Sequence, residues 1–403
     1  MADSQWLVKQ RTNARIGNAT DQTGPEDTPE TRWQFTVDGY GKETRVKSSP
    51  VVADDIVYFG AKDGRLYAVD IYSGSVEWMH EMNDQSAWGA PAIVDNTVII
   101  GSFDNYIHAV DRRTGQRQWT FKTADQVRSS IAVGTVSNRL DLVLAGSRDG
   151  HLYALHSGNG YCRWKFEAAG EVRSTPTIKD NTVYFGCEKN KLYALNLDDG
   201  SKRWCVDGPG SGVLAAIQQA PAIMNDRLFV VGYSFFSDLH ALSLHSGNTL
   251  WTYEVDDRIE SSPAVTDETV YFGSRDAQVY AVDTVNGNQK WVASVGGKVS
   301  SSPIVTDSTI YVGCDDEQLY ALNRYTGDVR WKYNLGGKIK TSPAIVEDTL
   351  FISSYAGVHA LESESAKVYN KQKKGTVCSA CKADLSEYGD VTFCPECGDR
   401  KKK

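Results

Sequence analysis

The chain has 403 residues, 41% hydrophobic and 23% charged, with a net charge of −8 and a pI near 5.5. That composition supplies a large apolar core, and its acidity argues against a general nucleic-acid surface. No stretch approaches the roughly 18 apolar residues of a membrane-spanning helix, so no membrane association is expected.

In chain order, Met1-Ala2-Asp3-Ser4-Gln5-Trp6 opens with neither a long apolar run nor a lipobox-like Cys. A cytoplasmic protein without a secretion signal is the expectation. Residues 1–32 are rich in Thr, Asn, Asp, Gly and Pro and read as an extended strap.

From residue 33 to 362 one unit recurs eight times. Its clearest copy runs from Ser261 to Trp291. Ser261-Ser262-Pro263-Ala264-Val265 predicts a short inner strand, and Thr269-Val270-Tyr271-Phe272-Gly273 a second strand of β-branched and aromatic residues. Arg275-Asp276-Ala277 is turn chemistry, Gln278 to Asp283 alternates as a third strand, and Asn286-Gly287 turns into a fourth that carries Trp291. The Trp recurs at 33, 78, 119, 164, 204, 251, 291 and 331, at intervals of 40 to 47 residues. A period near 40 with four strand signals per unit predicts a propeller of four-stranded blades.

A small Ala precedes the Trp in a fixed frame, as in Ala68/Gly74/Trp78 and Ala281/Gly287/Trp291. This Ala–Gly–Trp frame resembles the tryptophan-docking repeats of the quinoprotein family, the propellers with PQQ-like repeats. The resemblance covers residues 33–362 and implies an all-β, eight-bladed β-propeller with the Trp residues as core. The eighth unit ends at Glu362 without a Trp, while Arg32-Trp33-Gln34-Phe35 stands alone ahead of the first unit. The N-terminal strand is therefore expected to complete and close the last blade.

Residues 363–377 read as a linker, and 378–403 carry Cys378-Ser379-Ala380-Cys381 and Cys394-Pro395-Glu396-Cys397. Four thiolates in two Cys-x-x-Cys pairs suit tetrahedral Zn²⁺, and so short a segment needs a staple to fold. Two disulfides or a disordered Cys-bearing tail are the bland alternatives. The tail resembles a zinc ribbon and implies one structural Zn. Cys162, Cys187, Cys205 and Cys314 read as small buried hydrophobes, and free thiols with a thiolate zinc site point to a reducing compartment.

Two further sites are expected. The residue just before each Ser-Ser-Pro unit varies (Lys47, Trp88, Arg128, Arg173, Gln218, Glu260, Ser300, Lys340), whereas the one before it is always apolar. Strand alternation turns the variable set away from the apolar one, and the first strand of a propeller blade lies innermost. Four cations and one Trp on an axial funnel suit an anionic small molecule or an acidic peptide. The bland alternative pairs these cations with acids such as Glu43 or Glu171 around a water-filled channel. In the fifth unit Tyr233, Phe235 and Phe236 replace the usual polar turn, which fits partner contact or, equally, packing against the strap.

The quinone-dependent dehydrogenases of the same family carry larger loops, Ca²⁺ ligands, a catalytic Asp and, in many, adjacent Cys residues. Here the loops are short and no Cys-Cys pair occurs. Resemblance is closer to the non-catalytic BamB-type outer-membrane assembly scaffold, which implies a protein partner. The expectation is a monomeric binding scaffold with no catalytic residue and no PQQ. The alternatives are a PQQ/Ca-dependent dehydrogenase, and a sensor or nucleic-acid-associated module acting through the zinc ribbon.

Overall fold

The structure is a computed structural model that describes residues 19, 22–37, 45–83, 87–136, 141–208, 216–232, 238–346 and 348–363. Within them 32 strands form eight four-stranded antiparallel sheets, and no described residue is helical. This is the eight-bladed, all-β propeller that the repeat predicts. The calls on Tyr233, Phe235, Phe236 and on Cys378, Cys381, Cys394 and Cys397 lie outside the described residues.

Blade 1 shows how one repeat makes one sheet. Its strands are Val51–Ala53, Ile56–Gly60, Arg65–Asp70 and Val76–Glu81, counted from the channel outward. Asp54 and Asp55 both take positive φ (46° and 61°), the geometry of a two-residue turn whose twist matches the strands. The first three strands are almost wholly buried, whereas the fourth alternates between exposed and half-buried residues. Each blade thus buries both faces near the axis and faces water only at its outer edge.

The conserved frame acquires a physical reason here. Val51, Tyr58, Ala68 and Trp78 form one cross-strand row. The rings of Tyr58 and Trp78 lean towards each other over Ala68, with centroids 5.8 Å apart. The small residue therefore serves packing within its own blade. Docking between blades falls to the glycine of the next outer turn. Gly74 has φ 69°, and a Cβ there would lie 2.7 Å from the Trp33 ring. The Trp33 indole also donates to Ile71 O at 2.9 Å, and Trp78 donates likewise to Arg112 O and Trp164 to Leu197 O. Seven of the eight blades thereby grip the next with one ring and one hydrogen bond.

The eighth sheet draws on both parts of the chain. Its order is Glu30–Phe35, Gly357–Glu362, Thr349–Ser354, Ala344–Val346, with Trp33 opposite Ala360. Arg32 Nε donates to Glu362 Oε2 at 2.6 Å across this pairing, and both side chains are buried. Since the outer strand and the strand before it lie far apart in sequence, no turn joins them to receive Trp331. The strap fills that place: Trp331 and Tyr311 both donate to Pro25 O, at 2.9 and 3.1 Å.

Among the described residues two of the four free thiols lie in strands, Cys162 and Cys205, while Cys187 and Cys314 directly follow second strands. Cys187 and Cys314 are buried, but Cys162 and Cys205 are only half-buried because they lie on outer, fourth strands.

Candidate functional site

The segments that lead into each first strand share one end of the propeller with the turns between second and third strands. Backbone hydrogen bonds tie the two together. Lys62 N donates to Arg45 O, Arg148 N to Gln126 O, Glu188 N to Glu171 O and Asp315 N to Lys298 O, at 2.9 to 3.2 Å. In six of the eight lead-ins the alternate apolar residue is buried against the second-strand glycine of the preceding blade: a Cβ on Gly101 would fall 2.3 Å from Val127. With that residue held inside, its neighbours on either side are directed to the rim. Val46, Ala87, Val127 and Val172 are fully buried, while Lys47, Trp88, Arg128 and Arg173 are half-buried.

These residues meet around the rim in two different ways. In blades 4 to 7 the charges are paired. Arg173 binds Glu171 at 2.7 Å and Glu188 at 3.2 Å, and Gln218 also bonds to Glu188. Glu260 accepts from Ser300 at 2.9 Å and from Arg275 at 3.3 Å. Lys340 of blade 8 lies 3.4 Å from Asp315 of blade 7. Burial holds the Glu188 carboxyl above its ordinary range, whereas the hydrogen bond from Arg148 holds Glu171 below it.

In blades 1 and 3 the lead-in cations Lys47 and Arg128 are held by rings. The Lys47 ammonium sits 3.9 Å from the Trp88 ring centre, and the Arg128 guanidinium 5.3 Å from it. Arg128 also lies 4.6 Å from the centre of Phe103, whose ring meets Trp88 at 4.8 Å. Both Arg128 Nε and Nη2 donate to the neutral amide of Gln126. Burial and the neighbouring charges of Arg45, Lys340, Lys62 and Arg128 push the Lys47 ammonium below its ordinary pKa.

Sequence reasoning did not place Phe103, Arg148, Glu188, Arg275, Asp315 or Tyr355 at the rim, although Arg275 was read as turn chemistry. Five of them stand two residues after the end of a second strand, so the second-strand glycine is the signal that finds them; Tyr355 follows its strand directly. Counting these turn positions with the lead-in residues at and two before the Ser-Ser-Pro junction, Lys and Arg outnumber Asp and Glu by eleven to four. These rim positions are therefore rich in cations within an acidic protein.

The strand-three histidines serve packing. His108 Nε2 bonds to Asp104 at 2.8 Å, where the Tyr of other blades donates its hydroxyl to the same turn position, as Tyr153 does to Asp149 at 2.7 Å. Among the described residues no group of three or more His, Cys, Asp and Glu side chains is placed to hold a metal ion.

The profile of the family described as outer membrane protein assembly factor BamB matches residues 25–139, 103–234 and 212–382. The chain belongs to this family. Among solved structures, BamB from Moraxella catarrhalis is 20% identical, with 83% of this chain and 99% of that one covered at a TM-score of 0.69. Quinohemoprotein alcohol dehydrogenase from Comamonas testosteroni is 13% identical (90% and 81% covered, TM-score 0.72). A europium-containing methanol dehydrogenase is 14% identical (88% and 90% covered, TM-score 0.70). At these identities the likeness is one of fold, shared by scaffold and enzyme alike. Among curated proteins none matches the chain in sequence.

Proposed function

We propose that this BamB-family propeller is a non-catalytic binding scaffold whose basic rim takes an anionic ligand or the acidic part of a protein partner. The observation that carries the reading is the contrast around the rim. Arg173, Arg275 and Lys340 face carboxylates, but Lys47 and Arg128 face rings and an amide. Rings orient a cation without neutralising it, so its charge stays available to a ligand. Membership of a family described as an assembly factor agrees with a protein partner. Closure of the ring by the N-terminal strand would keep the rim's eight lead-ins in fixed register.

The remaining parts of the reading rest on sequence. Tyr233, Phe235 and Phe236 form a second contact surface on blade 5, and Cys378, Cys381, Cys394 and Cys397 hold a structural zinc in a separate interaction module. The protein works as a monomer in the cytoplasm. A PQQ/Ca-dependent dehydrogenase is the alternative, since two of the similar structures are dehydrogenases. The described rim does not fit that cofactor set, because Glu171, Glu188, Glu260 and Asp315 are already engaged by Arg, Lys or Ser.

The test is a thermal-shift screen of small polyanions and acidic peptides against the full chain. At a ligand concentration of 100 Kd, binding should add about 2.7 kcal/mol of stability. The Arg128→Ala/Arg173→Ala variant should lose that shift. Dye reduction by the protein with added PQQ and Ca²⁺, and no polyanion shift, would replace this reading with the enzyme.

A further inference from the structure

From the rim geometry we infer that the ligand of blades 1 to 3 is a compact polyphosphate group, clamped between Lys47 and Arg128 across Trp88. This rests on the binding-scaffold reading above and narrows it to one chemical class.

Placement is the first argument. Lys47 and Arg128 lie 3.9 and 5.3 Å from the same ring centre, so their charges are no more than about 9 Å apart. Among the described residues neither forms an ion pair: Lys47 meets the rings of Trp88 and Tyr355, and Arg128 meets Trp88, Phe103 and Gln126. Together they set two cations against one aromatic ring, close enough to be reached by a single ligand.

Charge density is the second. Lys47 feels the charges of Arg45, Lys62, Arg128 and Lys340, which come from three blades and two kinds of segment. They converge on one point instead of running along a line. A single carboxylate would relieve only part of that repulsion, and an acidic peptide spreads its charges about 7 Å apart along one face of an extended chain. Linked phosphates carry several negative charges within the space of one side chain and accept many hydrogen bonds from Lys and Arg.

Room is the third. Beside Lys340 the rim opens into a cleft of about 900 Å³ lined by Arg45, Lys338, Lys340 and Tyr355. The cleft reaches the seam at Thr36 and Val37, so whatever the phosphates are attached to has space on the blade 8 side. Blades 5 to 7 offer Gln218, Glu260 and Ser300 instead, which repel or merely hydrogen-bond an anion.

The experiment titrates the full chain with inorganic tripolyphosphate and, separately, with hexaglutamate, at two salt concentrations, by calorimetry and tryptophan emission. Tripolyphosphate should bind one per chain, more weakly at high salt, and lose at least tenfold in affinity in Lys47→Gln and in Arg128→Gln. Trp88→Phe should keep most of the affinity and lose the emission change. Lys290→Gln, on the opposite end of the propeller and paired with Asp283, should change nothing. Thermal melts of each variant separate a lost site from a lost fold. Hexaglutamate binding with the same dependence on Lys47 and Arg128, and tripolyphosphate failing, would overturn the phosphate assignment and leave the anion-binding rim standing. Failure of both probes would overturn the two together. Tripolyphosphate binding that ignores Lys47 and Arg128 would place the anion elsewhere and refute the clamp.

Discussion

Trp33→Ala tests whether the N-terminal strand shuts the ring. Trp33 is 8% exposed, meets Phe351 with centroids 6.0 Å apart, covers Gly74 of blade 1 and donates to Ile71 O at 2.9 Å. Truncating a buried Trp of this kind costs about 4 kcal/mol. At about 2.1 cal/mol/K of unfolding entropy per residue, a ring of this size changes melting temperature by roughly 1.5 °C per kcal/mol, which gives a drop of about 6 °C. The informative control is Trp164→Ala. Trp164 is also 8% exposed and donates to Leu197 O at 2.9 Å, but its strand is joined to the preceding one by a turn. The two variants should melt alike and open differently. In Trp33→Ala, native-state hydrogen exchange of Glu30–Phe35 and Gly357–Glu362 should quicken by about a thousandfold, because this pairing is free to part locally. In Trp164→Ala the blade 3 strands should exchange only with the whole ring. Identical exchange patterns, or a Trp33→Ala melt within a degree of the parent, would refute the seam as the ring's closing element.

Acid should loosen the ring through two histidines, His359 buried and His240 largely so. Burial lowers both His240 and His359 to about 4, so each is neutral when folded and takes a proton on unfolding. Their contribution is whole above about pH 6.5 and is lost as the pH falls towards 4, at about 2 kcal/mol per histidine by pH 5; urea midpoints should fall accordingly, and His359→Gln should flatten the slope. Freshly purified reduced protein should contain one Zn per chain, absent from a Cys378→Ser/Cys394→Ser variant whose ring melts unchanged; a metal-free parent would refute the ribbon. Phe235→Ser/Phe236→Ser should weaken partner capture at an unchanged melting temperature, and a lost fold would instead assign those rings to packing.

The blades were legible because one row of residues, Tyr58–Ala68–Trp78 and its repeats, is read out by period alone. The partner of the Ala was not legible, since sequence spacing does not distinguish a neighbour across a strand from one across a blade. Only the positive φ of Gly74 under Trp33 separates them. Half of the rim was legible for the same reason: alternation about Val46 or Val127 orients Lys47 and Arg128. The other half was not, because Phe103 reaches Trp88 through a turn whose position depends on hydrogen bonds to the next blade's lead-in, such as Val127 N to Ser102 O. Pro25 was read as part of a strap, and no residue pattern announces that its carbonyl stands in for a missing turn.

The antiparallel seam places Glu30 opposite Glu362, so the N-terminal and C-terminal ends of the ring leave from the same end of one ladder. A pull on the two ends therefore peels the strands apart one rung at a time, the weakest way to load a sheet. Before the first rung feels it, however, the force must strip the strap from blade 7, where Ala19 N bonds to Val305 O and Pro25 O holds Trp331 and Tyr311. The strap is thus the mechanical fuse of the molecule: tension from the N-terminal side is borne by a few contacts on the neighbouring blade, and the seam gives way only after they have gone.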